Sequence, residues 1–152
     1  QADRGYYFDF LEFQKNAEQS MTPSTPCISL IYGLSSQLDN FFAEGLENRY
    51  ARHAKLAQMT RDWAKGQGFE LFPEKGFESN SLTCVNSGAK PGGRVVDTAQ
   101  LQKLVKESGI LIDAGYGKLK GKTFRLSNMG DETEATMKTL YAAVDRALTK
   151  LS

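Results

Sequence analysis

GYGKLKGKTFRLSNMG, residues 115–130, sets a single arginine in a short strand-like run between a glycine-rich approach and a tight turn. In a β-strand successive side chains point to opposite faces. Phe124 and Leu126 flank Arg125, so burying that apolar pair in a core turns the guanidinium to the other face. Glycine at 115, 117 and 121 leaves the preceding loop almost without side-chain bulk. Arginine offers a planar fork of donors that meets a carboxylate through two parallel hydrogen bonds. The pattern fits a site for a small anion. From pattern alone the commoner reading is an edge-strand arginine in water, or one paired with a neighbouring acid.

Outward from this strand, the chain reads as helices first and strands later. Ile28, Ile31, Leu34, Leu38, Phe41 and Phe42 recur at helical spacing until Gly45 interrupts them. A second helix is predicted from about Leu46 to Lys65, with Leu46, Tyr50, Ala54, Ala57 and Ala64 near one face and Gly66 and Gly68 as stop residues. Strands are predicted at Phe69–Phe72, Ser81–Val85 and Ile110–Ile112, besides the one carrying Arg125. SGAKPGG, residues 87–93, is a loop. Asp97 with Gln100, and Asp131 with Glu134, have capping-box spacing. The helices that follow are marked by Leu101, Leu104 and Val105, and by Met137, Leu140, Tyr141, Val144 and Leu148. Upstream, YYFDF at 6–10 is a strand or a connecting segment, and FLEFQKNAEQS around Lys15 is a polar surface stretch. This order predicts an α+β fold, with helices on one face of a small, mainly antiparallel sheet.

The 152 residues, 40% hydrophobic, suffice for one core of ordinary size. A net charge of +1 argues against nucleic acid as a partner, which ordinarily meets a clustered basic excess. Lys118, Lys120 and Lys122 form the sole basic cluster and read as a solvated edge. No run of about 18 apolar residues predicts a membrane span, and no secretory signal is present. Cys27 and Cys84 have no metal-ligand spacing and read as small buried hydrophobes of a reducing, cytoplasmic protein. His53 is the lone histidine, among Arg49, Arg52 and Lys55, without a second ligand or nucleophile in view. No metal site is expected.

LKGKTFRLSNMG, residues 119–130, resembles the C-terminal signature of class V pyridoxal-phosphate aminotransferases, an Arg-Ile-Gly-His-Met-Gly type run after Gly-Lys. TPSTPCISLIYGL, residues 22–34, is similar to the Thr-Pro segment that opens a long helix in that family. EGLENRYARH, residues 44–53, is similar to its Glu-Gly-Leu-x-x-Arg-x-x-x-His run. The three motifs occur in the family's order and together cover nearly the whole chain. Ser127 and Asn128 stand where the alanine–glyoxylate and serine–glyoxylate group often carries Gly and His.

The resemblance implies the small domain of a fold-type I enzyme, with 1–24 as an interdomain, cofactor-facing segment and 25–152 as the domain itself. It implies pyridoxal phosphate as cofactor, a small amino acid and a 2-oxo acid such as glyoxylate or pyruvate as substrates, and a homodimer. Arg125 would hold the substrate α-carboxylate. Thr22, and after it Thr25, would reach the cofactor phosphate on the other subunit; their ordinary alternative is N-capping of the Ile28 helix. The lysine that bears the cofactor as a Schiff base belongs to the family's large domain, and the context of Lys15 does not match it. With Gln1 in place of methionine, this leads us to expect a C-terminal piece of a longer polypeptide that is inactive alone and has no catalytic residue of its own. The alternatives are a 2-aminoethylphosphonate–pyruvate transaminase, a cysteine desulfurase, or a non-catalytic interaction module of the same fold.

Overall fold

A computed structural model of the chain describes residues 5–151, which fall into two units, Gln1–Gly45 and Leu46–Ser152. In the first, α1 (Phe10–Ala17) starts at Asp9, whose carboxylate accepts from the Leu11 N–H at 3.1 Å. The segment read as a polar stretch is therefore helical, and Lys15 lies exposed in its last turn. Residues 6–9 form no strand. After the Thr-Pro loop comes α2 (Ile28–Glu44), which ends at Gly45 with a φ of +83°. Its apolar residues Ile28, Ile31, Leu34 and Phe42 are all exposed. Cys27 is exposed at the α2 N-cap rather than buried, and Cys84 is half-buried.

The second unit runs α3 (Leu46–Gly66), β1 (Leu82–Asn86), α4 (Thr98–Lys106), a short 3-10 turn at Gly117–Leu119, β2 (Thr123–Ser127) and α5 (Glu134–Lys150). The two strands pair antiparallel, with Cys84 opposite Arg125 and Val85 opposite Phe124. Of the segments expected as further strands, 69–72 contributes one bridge, Leu71 to Val85, and 110–112 none; on that edge the bridge is made by the next residue, Asp113, to Arg125. The chain leaves the first edge at Pro73, which has no N–H for a ladder. The α+β class holds, with a smaller sheet than the apolar runs suggested.

Phe124 and Leu126 are fully buried, as their alternation with Arg125 requires, and join one cluster with Val85 of β1, Ala64 of α3, Leu101 and Val105 of α4, and Val144 and Leu148 of α5. Burying each such side chain contributes roughly 1.5–3 kcal/mol. A second cluster joins α3 to α5 through Leu56, Met137 and Tyr141. There Trp63 stacks on Tyr141, with ring centroids 5.4 Å apart, and the indole N–H donates to Asp145 at 2.9 Å. The Thr60 hydroxyl donates to the Leu56 carbonyl at 2.9 Å, so the Tyr141 hydroxyl donates to Thr60 at 2.8 Å.

Two local expectations need correction. Leu46 and Tyr50 are exposed, and the buried face of α3 is Arg49, Leu56, Ala57, Thr60 and Ala64. Asp97 caps α4 as expected, accepting from Ala99 and Gln100. The box that opens α5 is instead Thr133 with Thr136. Asp131 and Glu134 go elsewhere, to ion pairs with Arg49 and Lys55.

Candidate functional site

Because Phe124 and Leu126 fill the core, Arg125 faces outward from β2 into a cleft of about 850 Å³. Leu82, Ile110, Leu111, Leu126, Met137 and Leu140 supply its apolar wall. Asp113, Tyr116, Ser127, Glu132, Thr136 and Thr139 supply the polar part of the lining. Gln102 holds the apolar run 110–112 in place by donating to the Ile112 carbonyl at 2.8 Å.

Arg125 meets an acid of its own chain. Its Nη2 donates to Asp113 Oδ2 at 2.5 Å, and the Tyr116 ring lies under the guanidinium, 4.3 Å from its carbon. Nε is buried and has no hydrogen-bond partner among the described residues. The backbones of the two residues pair as well, Arg125 N–H to Asp113 O at 2.7 Å and Asp113 N–H to Arg125 O at 3.4 Å. Desolvation opposes the charge on Arg125, but Asp113 and Tyr116 outweigh it and hold the guanidinium above its ordinary pKa. Desolvation likewise acts to raise the Asp113 carboxyl, and Tyr116, Arg125 and the Gly115 amide outweigh it and hold the carboxyl below the usual carboxylate range. Both groups are charged at neutral pH.

Gly115 fixes this geometry. Its N–H donates to Asp113 Oδ1 at 3.1 Å. A Cβ there would stand 2.5 Å from Thr123 Oγ1 and 2.7 Å from the Leu119 carbonyl oxygen, and its φ of +78° is one that L side chains rarely adopt. The glycine is thus required by close backbone approach as well as by openness of the loop.

The turn after β2 is clamped from α3. Asn128 is buried and donates to the carbonyls of Asn80 at 2.9 Å and His53 at 3.3 Å. Arg52 donates to the Glu132 carbonyl at 2.8 Å, and Arg49 and Arg52 both reach the Gly130 carbonyl at 3.2 Å. Met129 and Glu132 are thereby held at the cleft wall. Asp113 and Tyr116 were not singled out from the sequence. The available signal was an acid closing the apolar run ILI just ahead of the glycine loop.

Thr22 and Thr25 lie in the first unit, exposed in the loop before α2. Neither caps the helix. The Thr22 hydroxyl donates to the Ser24 carbonyl at 2.8 Å, and the N-cap, Cys27, makes no side-chain capping bond. Among the described residues there is no cluster of three His, Cys, Asp or Glu placed to hold a metal, and no helix long and apolar enough to cross a membrane. Lys118, Lys120 and Lys122 are exposed.

No family model matches the chain. It is 35% identical over 148 residues to an uncharacterized aminotransferase of Methanocaldococcus jannaschii, covering 97% of this chain and 37% of the relative. It is 34% identical over 146 residues to serine–glyoxylate aminotransferase of Methylorubrum extorquens, covering 93% of this chain and 35% of the relative. The chain thus spans just over a third of the length of these curated relatives, and matches their C-terminal part. Among solved structures it is similar to an aspartate aminotransferase of Thermus thermophilus, with a TM-score of 0.81 at 23% identity over 98% of this chain and 40% of that one. An alanine–glyoxylate aminotransferase of Nostoc sp. gives a TM-score of 0.75 at 25% identity, over 96% and 39% of the two chains.

Proposed function

The chain corresponds in sequence and fold to the C-terminal part of class V, fold-type I aminotransferases, and from that premise we propose that it is the small domain of an enzyme moving an amino group between a small amino acid and a 2-oxo acid such as glyoxylate or pyruvate. The observation that carries this reading is Arg125, held by β2 and Tyr116 at the wall of a cleft whose lining also includes hydroxyls. Its fork binds the α-carboxylate. Amino acid and oxo acid share that carboxylate, so one anchor serves both halves of the reaction and orients the Cα–H bond for proton removal.

Pyridoxal phosphate, when bound, supplies the electron sink at Cα. The residues present suit its phosphate: Thr22 and Thr25 offer exposed hydroxyls ahead of a 17-residue helix whose first turn carries no side-chain cap, and open helix N-termini favour phosphate. On this reading the enzyme is a cytoplasmic homodimer, with the cofactor lysine on a large domain, and the chain alone transfers no amino group. A desulfurase is the weaker alternative, because it needs a reactive cysteine on a mobile loop, whereas Cys84 is half-buried in β1 and Cys27 is the N-cap of α2.

Arg125→Lys in the intact protein tests the anchor. It should weaken amino acid and oxo acid by similar factors, on the order of ~1.5–3 kcal/mol for a lost charged hydrogen-bond pair, with cofactor binding and fold intact. Half-reactions followed separately by the cofactor spectrum give the two values. If both stay unchanged, Arg125 is not the anchor.

A further inference from the structure

We propose that Asp113 sets substrate specificity at this site, as a fixed counter-ion of Arg125 that admits ligands with one carboxylate and disfavours those with a second. The inference rests on Arg125 being the carboxylate anchor and adds to that reading the class of acid it accepts. Asp113 is not a loose surface acid. Its backbone is bridged to Arg125, its Oδ1 accepts from Gly115, and its Oδ2 accepts from Arg125. Gly115 is itself locked by its close approach to Thr123 and Leu119. A ligand carboxylate therefore joins the Arg125–Asp113 pair and does not displace Asp113.

Charge counting then decides what fits. Among the residues lining the cleft, Arg125 is the one cation, set against Asp113 and Glu132. Asp113 already neutralises Arg125, so a first carboxylate relies on the remaining donors of the fork and on short-range geometry. A second carboxylate finds no further cation in the lining and meets two like charges instead. Like charges a few ångströms apart repel by about 1 kcal/mol even at the dielectric of water, and by more where the wall is apolar. A small apolar or hydroxyl-bearing side chain meets only Ser127, Thr136, Thr139 and the aliphatic wall.

The test uses two carboxylates that cannot react, propanoate and succinate, titrated into the intact protein by isothermal titration calorimetry, a readout that does not depend on the side chain at 125. Wild type should bind propanoate roughly fivefold or more tightly than succinate, the size of one like-charge contact at a partly exposed site. Asp113→Asn should remove most of that preference. A merely structural role for Asp113 would weaken both ligands together and leave their ratio alone. Equal or tighter binding of succinate by wild type overturns the inference, and this arm needs no variant to fold. So does an unchanged ratio in folded Asp113→Asn or, should that variant not fold, in Asp113→Ser. Arg125→Gln separates the two readings. If it abolishes binding of both acids while Asp113→Asn leaves the ratio unchanged, the anchor stands and only the specificity role falls. If Arg125→Gln leaves binding intact, or wild type binds neither acid, the anchor falls and the specificity role with it.

Discussion

Gly115 holds Asp113 to Arg125 through one amide, in a place with no room for a side chain. Gly115→Ala should therefore cost about 1–3 kcal/mol for the left-handed backbone alone, and more from the contacts with Thr123 and Leu119. Thermal unfolding reads this out, and an unchanged midpoint would mean that the loop yields freely. A second residue gives a pH signature. Burial pushes the Tyr141 phenol up. A raised native pKa means that the neutral form is favoured in the folded state. Stability from this group is fully present below the unfolded pKa of about 10 and is lost as pH rises through the higher native value. Tyr141→Phe should flatten that alkaline decline, measured as urea midpoints between neutral and strongly alkaline pH. A decline of the same slope in the variant would assign it to other groups.

At the scale of elements, α5 shows how a cap is distinguished from its imitation. Thr133 and Thr136 satisfy each other's backbone N–H groups at its start, whereas Asp131 is an exposed partner of Arg49, which also holds the Gly130 carbonyl. Thr133→Ala should cost about 1 kcal/mol, and Asp131→Ala less than about 0.5 kcal/mol, as for most exposed ion pairs. The reverse order in denaturant midpoints would restore the capping role to Asp131. The same contrast explains what could be read in advance. β2, α3 and α5 were legible because each carries its own periodicity, and Arg125 was legible because two apolar neighbours flank it. Asp113 was not, since a partner twelve residues away across a bridge leaves no local pattern. The runs at 69–72 and 110–112 look like strands because they are apolar, but a strand also needs a neighbour along its length; the first finds one bridge, at Leu71, and the second none, the bridge beside it falling on Asp113. α1 escaped notice as an eight-residue helix whose signal is one capping aspartate.

Across the whole molecule, both buried clusters lie within Leu46–Ser152, while neither α1 nor α2 buries a residue. Residues 46–152 should accordingly fold alone, with dispersed amide NMR signals and a cooperative transition; a collapsed spectrum would show that the first unit is required. The exposed apolar residues of α2 should bind hydrophobic dye and drive self-association that rises with concentration, and a clean monomer in sedimentation without dye binding would argue against a missing cover. The stacked pair on α3 and α5 makes the two units separately observable. Trp63 is the only tryptophan in the chain, so its emission is a built-in lamp for one unit and is dark to the other. Heating the chain while recording fluorescence and far-ultraviolet dichroism together should give two curves that do not coincide: helical signal from α1 and α2 is lost first, and the emission of Trp63 shifts only when it parts from Tyr141.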